Sequence, residues 1–406
     1  MSSAPTQQEH EIVAALRLEQ VRYAIRDIAV VAEQLARDGK KILPLNIGDP
    51  LKFDFRTPSH VVEAVVKAMH DGHNGYAPSL GIEDAIEAVR AEAERKGIRD
   101  IQSVFITQGV SEAVDLCLTA LVNPGENVLT PRPEYPLYSA ILAKLGAELR
   151  TYSLDEENDW QPDVQEMGRK ITPQTRGVVV INPNNPTGAV YSRRSLEAIL
   201  DLARRHNLVV FADEIYDKLV LDGDPHIPLA ALAPDVPVVT FNGLSKAYLV
   251  PGWRVGWVVV SGPARIVGSY IEGIHKLLRA RLSANCPEQY AVRPALEGPQ
   301  NHLAEVIAKL RSRRDITMAF CNSTPRLSCV APRGAFYAFA RLHIEESDEG
   351  FVRRLLMEKQ VLVVHGSGFG QAPGTRHFRI VFLPDEATLN RAYQSLAAFL
   401  DKTGQS

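Results

Sequence analysis

Short runs of β-branched and aliphatic residues alternate with helical stretches along most of this chain, and no other feature limits its fold as tightly. Residues 104–107, 127–130, 149–152, 178–181, 208–212, 238–241 and 255–260 have the length and composition of strands. Helical patterns fall at about 111–121 and 195–206, with a further helix between the second and third runs. Continuously apolar strands are covered on both faces, and their alternation with helices makes the sheet mostly parallel. The expected fold class is α/β, with a large domain at about residues 58–290 built on such a sheet with helices on either side.

Residues 265–314 read as one or two long helices broken near Pro287 and Pro294. The segments 336–341, 350–359, 361–365, 378–382 and 386–400 then read as a smaller α+β unit. At 406 residues the chain is long for a single core. The expected division is an N-terminal segment, 1–57, packing with the small domain; the large domain, 58–290; and the small C-terminal domain, 291–406. A cleft between two such domains is a favoured place for a ligand.

Composition removes several functions. A net charge of −3, with no basic half and no acidic tail, gives no support to a nucleic-acid or membrane-surface partner. The four cysteines show no CxxC spacing and read as reduced core thiols rather than metal ligands. The N-terminus has no signal pattern and the apolar runs are too short to span a bilayer, so the expected address is the cytoplasm.

In a parallel α/β sheet, ligands bind beyond the carboxyl ends of the strands, and polar clusters gather at those positions here. Gln108-Gly109-Val110-Ser111-Glu112, Asn182-Pro183-Asn184-Asn185-Pro186-Thr187-Gly188, Asp213-Glu214-Ile215-Tyr216 and Asn242-Gly243-Leu244-Ser245-Lys246 each follow an apolar run. Lys246 is either a surface lysine or a desolvated amine whose lowered pKa suits Schiff-base chemistry. Asp213 is either a helix N-cap or a buried carboxylate that keeps a pyridinium nitrogen protonated. Gly109-Val110-Ser111 opens a helix, as a phosphate cradle or as a capping box with Ser111 as the cap. Arg254 is either an interfacial arginine or, with Ser245 and Ser111, part of a dianion site. Asn185, bracketed by prolines, is either a turn residue or a positioned polar side chain.

Taken together, NPNNPTG, ADEIYD, NGLSKAY…PGWRVGW and HFRIVFL resemble the class I/II aminotransferases of pyridoxal 5′-phosphate (PLP) fold type I. The intervals from Asn185 through Asp213, Lys246 and Arg254 to Arg379 are 28, 33, 8 and 125 residues, and the resemblance runs from about Tyr23 to the C-terminus. It implies a PLP enzyme that moves amino groups between amino acids and 2-oxo acids, with Lys246 covalently holding the cofactor and acting in catalysis. Asp213 would pair with the pyridine nitrogen, Tyr216 and Asn185 would bond the phenolic oxygen, and Tyr135 would stack on the ring. Gly109, Val110, Ser111, Ser245 and Arg254 would hold the phosphate; Val110 departs from the common pattern and offers only its amide. Arg379 would fork onto the substrate α-carboxylate, beside Asn185 and the backbone of Gly48. Tyr76 resembles the tyrosine that reaches the phosphate from a partner subunit, which implies a homodimer with shared active sites.

Within the family, the stretches Tyr23-Ala24-Ile25-Arg26-Asp27, Leu45-Asn46-Ile47-Gly48-Asp49-Pro50 and His365-Gly366-Ser367-Gly368-Phe369-Gly370 are most similar to the alanine (glutamate–pyruvate) aminotransferases. That similarity implies exchange between L-alanine and 2-oxoglutarate, giving pyruvate and L-glutamate, with Tyr23 and Arg26 closing over the substrate. Arg26 has the alternative of pairing with a neighbouring acid on its own helix, and Arg281 is a second candidate for a distal cation. Aspartate and aromatic aminotransferases and a same-fold PLP C–S lyase remain as alternatives. A PLP-binding regulator is the non-enzyme alternative; the residues before Lys41 read as one helix, too short for a DNA-binding domain.

Overall fold

The computed structural model describes residues 12–21 and 24–402, with the backbone alone for 24–27 and 402. Eight strands form the central sheet, in the order Ile101–Gln108, Val255–Ser261, Val238–Gly243, Val209–Asp213, Thr175–Ile181, Asn127–Arg132, Glu148–Asp155, Gln161–Pro162. From Val238–Gly243 to Glu148–Asp155, neighbours are parallel. Val255–Ser261 runs antiparallel to both its neighbours, so Ile101–Gln108 points the same way as the parallel set. The carboxyl ends of these strands therefore share one edge, and the start of Val255–Ser261 lies among them.

Side-chain alternation explains why the strands read as unbroken apolar runs. Along Thr175–Ile181, Val178 and Val180 enter one core while Val179 and Ile181 enter the other. The same split separates Val104 and Ile106 from Phe105. Helices Gly109–Leu121, Leu137–Leu145 and Ala264–Arg281 cover one face, and Glu83–Arg95 and Arg193–His206 cover the other. Each fully buried Val or Ile contributes about 1.5–3 kcal/mol, so apolar burial holds both helical layers to the sheet. Arg193–His206 begins where Ser192 Oγ accepts the Ser195 N–H at 3.1 Å and ends at Asn207 with φ 54°, which delivers the chain to Val209–Asp213.

The smaller sheet is antiparallel throughout, in the order Leu327–Ser328, Tyr337–Leu342, His377–Val381, Val364–His365. Helices Asn301–Ser323 and Asp348–Lys359 pack with it, and Glu386–Lys402 packs on those two helices. The single strand expected at 361–365 is divided: Val361–Leu362 pairs in parallel with Leu43–Pro44, and Val364–His365 joins the small sheet. The region expected as one or two long helices is Ala264–Arg281, a turn Pro287–Ala291, a short helix Val292–Glu297, and Asn301–Ser323. Among the described residues, the N-terminal part expected as one helix is a 3-10 turn Leu16–Gln20 and a helix Ala24–Arg37.

The segment carrying Gly48 is tied down from behind. Arg313, 1% exposed, donates through Nη2 to Asp54 Oδ1 and Oδ2 at 2.6 and 2.7 Å, and through Nη1 to the Leu383 carbonyl at 2.6 Å. Among the described residues no helix is long and apolar enough to cross a membrane, no side-chain group could hold a metal ion, and the four cysteines are free.

Candidate active site

A cavity of about 540 Å³ opens between the carboxyl edge of the large sheet and the small sheet. Gly48, Val110, Ser111, Tyr135, Asn185, Asp213, Tyr216, Ser245, Lys246, Arg254 and Arg379 all line it, although they come from segments far apart in the chain.

Asp213 is the last residue of its strand and is followed by turns, so the helix-cap reading is overturned. Its Oδ2 accepts from Tyr138 Oη at 3.0 Å and its Oδ1 from the Ile215 N–H at 3.3 Å, both neutral donors. Burial pushes the carboxyl up from 3.8 to about 6, against the pull of those two bonds. The following turn is held on both sides. Glu214 Oε1 accepts the Leu229 N–H at 2.9 Å, and Lys96 Nζ donates to Asp217 Oδ2 at 2.5 Å. Burial opposes ionisation of Asp217 most strongly, but Lys96, His226 and Lys218 together outweigh it and hold the carboxyl down at about 2. Tyr216 is thereby fixed between them, its Oη 2.8 Å from Tyr337 Oη.

Lys246 follows the strand Val238–Gly243, and its Nζ donates to the Gly48 carbonyl at 3.0 Å. The surface-lysine reading therefore fails. Burial lowers the amine to about 8; Asp49 opposes this, while Arg254 and Arg379 add to it. A lysine in that range is part neutral near pH 7 and available as a nucleophile and base.

In the loop 182–188, three asparagines divide the work. Asn182 Oδ1 accepts the Tyr191 N–H at 2.9 Å, and Asn184 Oδ1 accepts from Thr187 Oγ1 at 2.8 Å. With the loop held by those two, Asn185 Oδ1 is left to accept from Arg379 Nη1 at 2.9 Å. Asn185 is thus more than a turn residue. Arg379 also donates through Nη2 to the Asn46 carbonyl at 2.7 Å. Its guanidinium carbon lies 4.6 and 4.7 Å from the ring centres of Tyr337 and Phe369, which hold the fork flat.

Helix Gly109–Leu121 presents its N-terminus to the cavity. Glu112 Oε2 accepts the Gln108 N–H at 2.7 Å, and Ser111 lies in the first turn without capping it, so the capping-box reading with Ser111 as cap is overturned. Gly109 has φ +74°, and a Cβ there would collide with the Arg254 guanidinium. Arg254 itself has φ 54° and donates through Nη1 to the Pro251 carbonyl at 3.0 Å. Backbone amides, two serine hydroxyls and this guanidinium make an anion cradle. Arg281 braces it from behind, donating to Glu112 Oε2 at 3.2 Å and to the Ser79 carbonyl at 2.9 Å. It does not line the cavity, which corrects its reading as a distal cation.

Two further expectations stand apart from this cluster. Tyr76 is 83% exposed and outside the cavity lining. Tyr23 and the side chain of Arg26 lie outside the described residues. Conversely, sequence reasoning missed Tyr138, Tyr337 and the Asn46 carbonyl. Tyr138 left one signal, a phenol hydroxyl in a mostly apolar helix, which must find a partner when buried.

A reactive amine, a buried acid, an anion cradle and a carboxylate-shaped arginine around one cavity define an enzyme of amino-acid chemistry. The sequence profile of Aminotransferase class I and II matches residues 40–396, and the chain belongs to that family. The glutamate-pyruvate aminotransferase AlaA of Escherichia coli (strain K12) is 41% identical over 394 residues, covering 95% of this chain and 96% of that protein. The alanine aminotransferase of Mycobacterium bovis is 41% identical over 408 residues, covering 98% and 95% respectively. The solved structure of an alanine aminotransferase from Pyrococcus furiosus aligns with a TM-score of 0.92 at 40% identity, covering 96% of this chain and 100% of that one.

Proposed function

We propose that the protein is a PLP-dependent alanine aminotransferase, exchanging the amino group between L-alanine and 2-oxoglutarate to give pyruvate and L-glutamate. The observation that carries this reading is the convergence of Lys246, Asp213 and Arg379 on one cavity. The substrate half rests on the 41% identity to proteins named for alanine and glutamate–pyruvate transfer, which weighs against the aspartate, aromatic and C–S lyase alternatives.

Three features fit PLP. The cradle at Gly109 closes against a guanidinium suited to a dianion. Asp213 is a buried acid bonded by neutral donors, and a ring N–H⁺ opposite it would restore its ionised form. Lys246 carries a lowered amine pKa beside both. Gly109, Val110, Ser111, Ser245 and Arg254 would hold the phosphate, with Asp213 on the ring nitrogen, Tyr216 and Asn185 on the phenolic oxygen and Tyr135 on the ring face. Bound there, PLP supplies an electron-withdrawing ring that stabilises negative charge at the substrate Cα.

The chain's own groups do the rest. Arg379 takes the substrate α-carboxylate on its planar fork, next to Asn185 and the backbone of Gly48. Lys246 Nζ would hold the cofactor and would serve as the base at the substrate Cα, a task suited to an amine lowered to about 8. Tyr23 and Arg26 are proposed as the wall facing the substrate side chain. A homodimer in which Tyr76 reaches the partner's phosphate site is supported by the exposure of that large aromatic side chain. The division at about residues 57 and 290 and a cytoplasmic address belong to the same proposal.

A panel of amino acids with 2-oxoglutarate tests the reading. Alanine should be turned over much faster than aspartate or phenylalanine. A clear win for either of those removes the alanine assignment, and release of ammonia in place of a 2-oxo acid favours the lyase.

A further inference from the structure

We propose that Tyr337 is a positioning residue that sets the direction of the Tyr216 hydroxyl, so that Tyr216 donates into the cavity instead of toward the small sheet. The inference rests on the PLP reading of the cavity and adds a residue to it.

The two hydroxyl oxygens are 2.8 Å apart and buried, and the rings stand edge to face with centres 5.7 Å apart. At that distance one hydroxyl donates and the other accepts, leaving the acceptor's own proton free to go elsewhere. Surroundings decide which is which. The Tyr337 ring faces the Arg379 guanidinium at 4.6 Å, and a cation over a phenol ring draws density from its oxygen and strengthens it as an acid. Tyr216 has no such help. Burial first, then Tyr337, Tyr135 and Asp213, keep its hydroxyl well above its ordinary range. The bridging proton is therefore Tyr337's, and that of Tyr216 points into the cavity that both residues line.

The approach of Tyr337 is built into the backbone. A Cβ on Gly48 would collide with the Tyr337 hydroxyl, so the tyrosine reaches Tyr216 only because residue 48 has no side chain. The same Gly48 accepts from Lys246 through its carbonyl. Tyr337 belongs to the small sheet and Tyr216 to the turn after Val209–Asp213, so the bridge crosses the cleft. A hydroxyl that accepts a bond donates more strongly, by roughly 10–30%. Tyr337 thus makes Tyr216 a better donor to a phenolic oxygen and lowers the proton affinity of the Lys246 nitrogen beside it.

The test titrates the visible absorbance of the full-length, PLP-loaded protein. Tyr337→Phe should raise the midpoint of the colour change by about half a pH unit, roughly threefold in proton affinity. Tyr216→Phe should raise it further, and adding Tyr337→Phe to Tyr216→Phe should change nothing more. Replacing Tyr337 alone by 3-fluorotyrosine, a stronger acid of nearly the same shape, should move the midpoint down. That reversal of sign is not expected of a residue that merely fills space, and it decides the matter should Tyr337→Phe fail to fold. A midpoint unmoved by the substitutions at 337, an upward shift with fluorotyrosine, or an undiminished Tyr337→Phe shift in the Tyr216→Phe background would overturn the proposal while leaving the cofactor reading intact. A wild-type protein that forms no coloured complex with PLP overturns the cofactor reading, and this inference with it.

Discussion

Burial lifts Asp213 to about 6, above the 3.8 expected of an unfolded carboxyl, and the sign of its contribution follows. Stability associated with the protonated form is complete below about pH 4 and is lost as pH rises through 6, a change on the order of 2–3 kcal/mol. In protein stripped of PLP, the melting temperature of Asp213→Asn relative to wild type should therefore climb between about pH 4 and pH 7. A difference that stays flat across that range contradicts the assignment. In loaded enzyme the same substitution should lower kcat by several orders of magnitude, since a neutral ring is a poor electron sink. Arg379→Lys keeps the charge but loses the flat fork bonded to Asn185 and the Asn46 carbonyl. It should raise KM for alanine and for 2-oxoglutarate together, by roughly 10- to 100-fold, or about 1.4–2.7 kcal/mol. An effect on one substrate alone would place the α-carboxylate elsewhere. Lys246, Asp213 and Asn185 were legible in the sequence because each belongs to a polar cluster at the exit of an apolar strand. Tyr337 was not, since Gly-Ala-Phe-Tyr-Ala-Phe reads as core, and only the fold brings Arg379 beneath its ring. Arg281 could not be placed from the sequence because its partners, Glu112 and the Ser79 carbonyl, are set by packing.

At the level of elements, the anion cradle depends on a glycine that opens a helix. An L-residue at φ +74° is strained by about 1–2 kcal/mol, and at Gly109 its Cβ would also push Arg254 aside. Gly109→Ala should weaken PLP binding at least about tenfold, or roughly 1.4 kcal/mol, by equilibrium dialysis. Gly268→Ala, in open space on helix Ala264–Arg281, should leave binding unchanged and raise stability slightly. Equal effects at both sites would remove Gly109 from the cradle. Seven of the eight strands of the large sheet could be located, with ends within three residues, because both their faces are buried; the two-residue edge strand Gln161–Pro162 was not read. The division of 361–365 could not, because the choice of Leu43–Pro44 as partner for Val361–Leu362 is made across more than three hundred residues.

Among the described residues, the hydrogen bonds that span the cavity include Lys246 to Gly48, Arg379 to Asn185, and the Tyr216–Tyr337 pair. If two copies share their sites through Tyr76 as proposed, mixing inactive Lys246→Ala chains with inactive Tyr76→Ala chains should restore part of the activity. Heterodimers that form without recovering it would confine Tyr76 to its own subunit. The reversed strand bears on how such a site changes over generations. Because Val255–Ser261 runs against its neighbours, its beginning lies at the cleft, and Arg254 reaches the cavity eight residues after Lys246. Pairing of Asn242 with Trp257 and of Gly243 with Gly256 pins the connecting loop at both ends. Inserting or deleting one residue there would either slip that register, turning one strand's side chains to the opposite core, or be taken up in the loop and move Arg254 relative to Lys246. Descendants of this chain should therefore keep the length of 244–254, with Ser245, Lys246 and Arg254 held in place and substitutions confined to the positions between them.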